Sequence, residues 1–222
     1  GVIGHRDAAG TEAAFYAPSD VAVAADGTIY VADTLNHVIR RIAPDGTVTT
    51  LNKRPRRAVE VFPGVVEPAG DFADGPLREA LFNEPSGLAL DDKGNLYVSD
   101  SGNQRIRYID FAAGTVTTVA GGGELLKNAL YVEGELRDGP APEARFYSPK
   151  GIALDGEGGL YIADSLNHSI RYLKDGRGVT VVGGASGENG VVNGTEKRAL
   201  LDFPADVAVG QEGSLYVADM YN

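Results

Sequence analysis

The 222-residue sequence contains no cysteine, few basic residues and no long hydrophobic segment. Without cysteine, the chain has neither disulfides nor thiolate chemistry. It has 20 lysines and arginines against 31 aspartates and glutamates, a net charge of −11. This balance argues against a nucleic-acid partner, because phosphate binding needs a basic surface. No apolar run is as long as a spanning helix, so membrane insertion is not expected.

Several catalytic signatures are also missing from the sequence. There is no serine or cysteine nucleophile motif and no loop of the type that cradles phosphates. The 30 glycines lack the every-third-residue spacing of collagen, so their number indicates many tight turns instead.

One sequence pattern recurs four times along the chain. Its second copy reads Phe82-Asn-Glu-Pro-Ser-Gly-Leu-Ala-Leu90, then Leu96-Tyr-Val-Ser-Asp100, then Asn103-Gln-Arg-Ile-Arg-Tyr-Ile109. The other copies begin at Phe15, Phe146 and Leu201. A repeat of this size, made of short strands and turns, indicates an array whose units bury their apolar faces against one another.

Each complete copy contains four strand signals separated by turns. The second signal, such as Ile29–Ala32, is almost continuously apolar and therefore fits a strand buried on both faces. The first signal has a constant alanine, as in Val21–Val23, which fits an innermost strand where neighbouring units converge. Four-stranded antiparallel units around an axis form a β-propeller, whereas a parallel β-helix, the weaker alternative, needs shorter coils. The predicted fold class is all-β: a single propeller domain, 1–222, with blades near 16–51, 83–122, 147–184 and 202–222.

The repeat spacing is irregular, and the extra residues are not spread evenly. Tyr30 and Tyr97 are 67 residues apart, whereas Tyr161 and Tyr216 are 55 apart. The extra residues lie in the connections between blades, at Asn52–Leu81, Gly122–Arg145 and Ala185–Leu200. In a propeller these connections open on one face, and long insertions on one face indicate a functional face.

Two segments of these connections have distinctive composition. Helical spacing of apolar residues from Leu125 to Tyr131 predicts a short helix on this face, with Leu125 and Tyr131 as candidate binding residues. The basic cluster Lys53–Arg57 predicts a solvated loop tip, with docking of an acidic partner as the alternative.

The two ends of the chain suggest how the ring is arranged. Gly1–Gly4 resembles the end of a fourth strand such as Val119–Gly122, so the N-terminus is predicted to lie in or near the last blade. That blade would still lack its third strand, and an unpaired apolar edge invites association. We therefore interpret the chain as an arc of a larger propeller, completed by further sequence, a second chain or self-association.

The phrases Pro-x-Gly-Leu/Ile-Ala-Leu, Leu-Tyr-Val/Ile-Ser/Ala-Asp and Asn-His/Gln-x-Ile-Arg resemble the NHL repeat, most closely in copies two and three. Copies one and four carry Asp20 and Asp206 where that pattern prefers glycine. With its long connections, the chain is similar to secreted or surface NHL proteins of bacteria. The resemblance implies a propeller, commonly six-bladed, that binds a ligand on one face. It does not separate binding modules from lyases and lactonases, which use the same fold.

Two polar positions recur in the repeat. An Asp-x-x-Asn element ends each second strand, and an arginine follows the aspartate by seven residues at Arg40, Arg107 and Arg171. The favoured interpretation is a turn cap and a salt bridge. As alternatives, the carboxylates could hold a structural calcium ion and the arginines could contact a ligand.

Two histidines share one repeat position, His37 and His168, with Gln104 between them in sequence. Together with Asp33, Asp100 and Asp164 they are the weak candidates for a metal site, because such a site needs three or four convergent ligands. Gln104 favours a hydrogen-bonding role instead, since histidine and glutamine share it.

The preferred prediction is a non-catalytic binding scaffold without a cofactor. Its ligand, a protein, small molecule or carbohydrate, would bind the face with the long connections. The alternative is a metal-assisted channel enzyme of the lyase or lactonase type. An enzyme breaks its repeat symmetry at the site, because catalysis needs groups with unlike environments, and the polar positions here are nearly alike.

Overall fold

The computed structural model describes residues 3–183, 187–195 and 198–222, which form four antiparallel sheets and a separate hairpin. The first sheet consists of β1 (Pro18–Val23), β2 (Ile29–Asp33), β3 (Val38–Ile42) and β4 (Val48–Thr50). The hairpin, β5 (Arg57–Phe62) and β6 (Val65–Ala69), lies in the connection that follows.

The remaining sheets repeat the arrangement of the first. The second contains β7 (Gly75–Pro76), β8 (Pro85–Leu90), β9 (Leu96–Asp100), β10 (Arg105–Asp110) and β11 (Thr115–Gly121). The third contains β12 (Gly139–Pro140), β13 (Pro149–Leu154), β14 (Leu160–Asp164), β15 (Ser169–Lys174) and β16 (Arg177–Gly183). The fourth contains β17 (Pro204–Val209) and β18 (Leu215–Asp219). Short 3₁₀ turns occupy Gly10–Glu12, Thr34–Asn36, Ser101–Asn103 and Ser165–Asn167.

The sheets stack as successive blades, which confirms the predicted all-β propeller. The innermost strands β1, β8, β13 and β17 contact one another in that order. Fully buried Phe82 and Phe146 belong to the two apolar clusters that fill the spaces between blades. The inner strands are so close that a Cβ atom on Gly87 would lie 2.1 Å from the carbonyl oxygen of Lys150, so glycine is required there.

The N-terminal segment lies beside the first blade. The N–H of Gly4 donates to Phe15 O at 3.1 Å, as those of Asp71 and Glu135 donate to Phe82 O and Phe146 O. Gly4 therefore occupies the end of an inter-blade connection, not the end of a fourth strand. The predicted placement in the last blade is wrong for Ile3 and Gly4, and Gly1 and Val2 lie outside the described residues.

Leu125–Tyr131 is not helical, contrary to the prediction. The segment contains only a turn, closed by the N–H of Ala129 donating to Leu126 O at 3.1 Å. Its length is too short for a stable helix without tertiary support, and the carbonyls of Leu126, Lys127 and Ala129 accept hydrogen bonds from Arg57 instead. Among the described residues, the model contains no helix of the length and hydropathy needed to cross a membrane.

Candidate functional site

The repeated aspartate and arginine form one buried network in each complete blade. In the first, Arg40 Nη1 lies 2.7 Å from Asp33 Oδ2, and Arg40 Nη2 lies 2.8 Å from Asp7 Oδ1. Asp33 also accepts hydrogen bonds from the N–H of Tyr16 and from Asn36 Nδ2. The equivalent arginine–carboxylate pairs in the other blades are Arg107 with Asp100 and Asp74, and Arg171 with Asp164 and Asp138.

The three arginines are consequently interior groups. Arg40, Arg107 and Arg171 are each 0% exposed, and each guanidinium also donates to backbone carbonyls of the connection that leads into its blade. This geometry corresponds to the salt-bridge interpretation. The alternative in which these arginines contact a ligand does not fit, because a ligand cannot reach them without opening the blade.

The carboxylates at the ends of the second strands, Asp33, Asp100 and Asp164, are fully buried as well, whereas Asp7, Asp74 and Asp138 are partly exposed. Burial raises the pKa of Asp164 to about 6, while Arg171, Asn167 and the N–H of Tyr147 oppose the increase. Burial raises the pKa of Asp100 in the same way. A pKa near 6 leaves the Asp164 carboxylate ionised at neutral pH, so its pair with Arg171 persists there.

The repeat position of His37, Gln104 and His168 joins each blade to the next. All three adopt left-handed backbone conformations, with φ of 56°, 54° and 51°. His37 Nδ1 accepts the N–H of Glu84 at 3.0 Å, and Gln104 Oε1 accepts the N–H of Ser148 at 2.6 Å. His168 Nδ1 accepts the N–H of Phe203 at 3.2 Å. Histidine and glutamine are therefore interchangeable acceptors at this position.

His37 is held in its neutral form. It is 7% exposed, and desolvation, with a smaller contribution from Arg54, lowers its pKa to about 4. A neutral ring is required for the bond from Glu84, because Nδ1 can accept only when it carries no proton.

The candidate metal ligands do not converge. Asp33, Asp100 and Asp164 lie in separate blades and are paired with arginine, and His37 and His168 each use Nδ1 between blades. Among residues 3–183, 187–195 and 198–222, no group of three histidine, aspartate or glutamate side chains has a geometry that could hold a metal ion.

The second connection crosses the top of the second blade. Asn83 Nδ2 donates to Leu130 O at 2.7 Å, the N–H of Val132 donates to Gly102 O at 2.8 Å, and Gln104 Nε2 donates to Val132 O at 3.0 Å. Gly102 stands where the first and third blades have exposed leucines, Leu35 and Leu166. A Cβ atom on Gly102 would lie 2.5 Å from Cγ of Asn83, so the glycine leaves room for the asparagine that binds the crossing segment.

Three tyrosines lie on the face that carries the inter-blade connections, and the crossing segment supplies one of them. Tyr16 and Tyr147 hold the same repeat position in the first and third blades, where the second blade has Asn83. Tyr131 lies above that blade on the crossing segment. Tyr16, Tyr131 and Tyr147 are 40%, 46% and 41% exposed, so each presents part of its ring to solvent.

Three cavities meet at Tyr131. The Arg145 cavity, about 620 Å³, is lined by Arg145, Gly123, Glu124, Leu126, Ala129 and residues 131–135. The His37 cavity, about 430 Å³, also contacts Tyr16 and Arg54. The Tyr147 cavity, about 550 Å³, lies between the second and third blades. The predicted binding residue Tyr131 lines all three, whereas Leu125 is half-buried beside them.

Arg57 fixes the second connection to the first. Its guanidinium donates to Gly70 O at 3.0 Å, to Leu126 O at 2.9 Å and to the carbonyls of Lys127 and Ala129. Arg57 is half-buried, so the basic cluster is not entirely a solvated loop tip, although Arg54 and Arg56 are exposed.

Several residues of this face were not identified from the sequence. Tyr16 and Tyr147 are ordinary positions within the repeat, and Glu84 belongs to no motif. Arg57 was singled out only as part of the basic cluster, without its role in binding the second connection. One signal was available: the residue after the repeat phenylalanine changes among Tyr16, Asn83 and Tyr147, while that phenylalanine and the proline two residues further on stay constant.

The stacked antiparallel blades define this chain as a β-propeller. An auxiliary nutrient binding protein from Bacteroides ovatus aligns with a TM-score of 0.63 at 21% identity, covering 93% of this chain and 46% of that chain. A likeness at this identity shows the fold alone.

Residues 15–42, 82–107 and 146–171 match the NHL repeat family. The chain therefore belongs to the NHL-repeat proteins. NHL repeat-containing protein 2 from Bos taurus is 33% identical over 191 residues, which cover 82% of this chain and 24% of that protein. Protein SUPPRESSOR OF QUENCHING 1, chloroplastic, from Arabidopsis thaliana is 35% identical over 144 residues, 64% of this chain and 13% of that protein. The chain thus spans less than a quarter of these curated relatives.

Proposed function

We propose that this chain is a non-catalytic recognition scaffold that binds a protein partner on the face carrying the inter-blade connections. The observation that supports this function most directly is the convergence of three cavities on Tyr131. Concave sites with aromatic walls and a few fixed polar groups are typical of ligand binding.

The construction of this face supports the same function. Tyrosine supplies a large contact area at a low cost in conformational entropy, and Tyr16, Tyr131 and Tyr147 are all partly exposed there. Arg57 and the bonds to Asn83 and Gln104 hold the connecting segment against the blades. A preorganised surface loses less entropy when it binds.

The enzymatic alternative has less support from the geometry. The candidate carboxylates have the same fully buried, arginine-paired environment in three successive blades. The histidines accept backbone hydrogen bonds between blades. The location predicted from the resemblance, secreted or at a bacterial surface, remains a proposal, since the curated relatives named above come from a mammal and a plant.

Selection from a phage-displayed library of random dodecapeptides tests the proposal. We expect enriched peptides to bind the unmodified chain and to lose affinity for Tyr131→Ala by at least about tenfold, as is usual for a central aromatic contact. Tyr216→Ala is the matched control, because Tyr216 is also exposed, on β18, and lines none of the three cavities. If no peptide is enriched, or if Tyr131→Ala and Tyr216→Ala bind alike, this face is not the recognition surface.

A further inference from the structure

The Tyr147 cavity differs from its neighbours in charge. Its lining includes two carboxylates, Glu84 and Glu133, and two tyrosines, Tyr131 and Tyr147. The other lining residues are neutral, and none is lysine or arginine. By contrast, the other two cavities each include an arginine, Arg54 or Arg145.

Glu84 is the central acidic group of this cavity. It is half-buried, and its backbone is fixed in a left-handed conformation, φ 50°, by the bond to His37 Nδ1. One carboxylate oxygen, Oε1, accepts the hydroxyl of Tyr131 at 2.9 Å. In the described part of the chain, Glu84 has no salt bridge with a lysine or arginine. A partly desolvated carboxylate without a cation gains from one supplied by a ligand.

Tyr131 holds the Glu84 side chain in place through its hydroxyl group. Burial and the nearby carboxylate of Glu84 raise the pKa of Tyr131 to about 12, so the hydroxyl stays protonated and donates to Glu84. The rings of Tyr131 and Tyr147 form walls of the same cavity, and aromatic faces attract lysine and arginine groups.

We propose that the Tyr147 cavity binds a lysine or arginine side chain of an extended peptide segment in a protein partner. This inference rests on the proposed function. A peptide is favoured over a free amine because Glu84 and Tyr131 also line the His37 cavity, so an extended ligand can occupy both cavities by crossing this shared wall. The net charge of −11 also steers a basic partner towards the chain.

Titrations followed by ¹H–¹⁵N NMR test this assignment. The probe is a blocked pentapeptide with arginine at the centre and alanine elsewhere, compared with the same peptide carrying neutral citrulline. We expect saturable shifts at the amides of Gly134, Tyr147 and Ser148, with affinity at least about tenfold weaker for citrulline. Added salt should weaken binding of the arginine peptide and leave binding of the citrulline peptide nearly unchanged.

Variants assign the effect to the cavity. Glu84→Gln and Glu133→Gln should each weaken binding of the arginine peptide about fivefold to tenfold, because each removes one negative charge from the cavity wall. Glu143→Gln changes the net charge equally, but Glu143 is exposed and lines none of the three cavities, so it should have little effect. Glutamine at residue 84 can still accept the hydroxyl of Tyr131, which keeps the cavity wall intact.

Each opposite result overturns the inference. Equal binding of the arginine and citrulline peptides, or equal effects of Glu84→Gln and Glu143→Gln, would show that the cavity does not select a cation. If N-acetyl-arginine-N-methylamide binds as tightly as the pentapeptide, the ligand is a small cation and not an extended peptide. After any of these failures, the recognition face is still supported if binding of the library peptides depends on Tyr131. If that binding does not depend on Tyr131, both the cation site and the recognition face are rejected.

Discussion

Replacing His37 by glutamine should make the protein less sensitive to acid. His37 has a pKa of about 4 in the folded protein against 6.5 for an unperturbed histidine. Between these values the unfolded chain binds a proton that the folded protein does not. The free energy of unfolding therefore falls as the pH decreases through this window, and the contribution of His37 is fully present only above about pH 6.5. Proton linkage gives a loss of about 2 kcal/mol between pH 7 and pH 5.

His37→Gln removes this proton without removing the hydrogen bond. Gln104 shows that glutamine fits the same repeat position and accepts a backbone N–H at 2.6 Å. We therefore expect nearly equal stability of the two proteins at pH 7 and an advantage of about 2 kcal/mol for His37→Gln at pH 5.

Urea denaturation at both pH values measures the difference. Other buried groups, including Asp164, also titrate in this range, but their contributions cancel when the variant is compared with the unmodified protein at each pH. If the stability difference is the same at pH 7 and pH 5, His37 does not have the depressed pKa that its burial between blades produces.

Two further predictions concern the networks that build the site. Arg107→Met should lower the free energy of unfolding by about 3–5 kcal/mol, because it leaves the fully buried carboxylate of Asp100 without its cation, and Asp100→Asn in the same chain should recover part of the loss. Urea titration measures both, and a loss below about 1 kcal/mol would contradict a buried ion pair. Arg57→Ala should speed hydrogen exchange in residues 126–130 and leave the blades protected, because Arg57 binds the carbonyls of that segment. Arg56→Ala, at an exposed neighbouring residue, is its control, and equal exchange in the two variants would show that Arg57 does not restrain the connection.

The repeat determined the strands and the blade contacts without any coordinates. The sequence signals for the tight turn at Asp26–Gly27 and for the apolar strand β2 each span fewer than about ten residues. Local chemistry was therefore sufficient to predict both. The ion pair between Asp33 and Arg40 could be predicted for the same reason, since Asp33 lies on β2 and Arg40 on the adjacent strand β3. Repetition in further blades made each local signal stronger.

The proposed recognition face depends on contacts that no local sequence pattern encodes. Arg57 binds carbonyls 69–72 residues further along the chain, and Tyr131 reaches Glu84 across 47 residues. The helical spacing of Leu125–Tyr131 was misleading, because the carbonyls that a helix would use are bound by Arg57. His37 likewise became an inter-blade acceptor only when the next blade placed the N–H of Glu84 beside it. The sequence by itself thus determined each blade, whose hydrogen bonds join near neighbours, whereas the tertiary structure decided the cavities, because their walls come from segments that meet only when the blades stack.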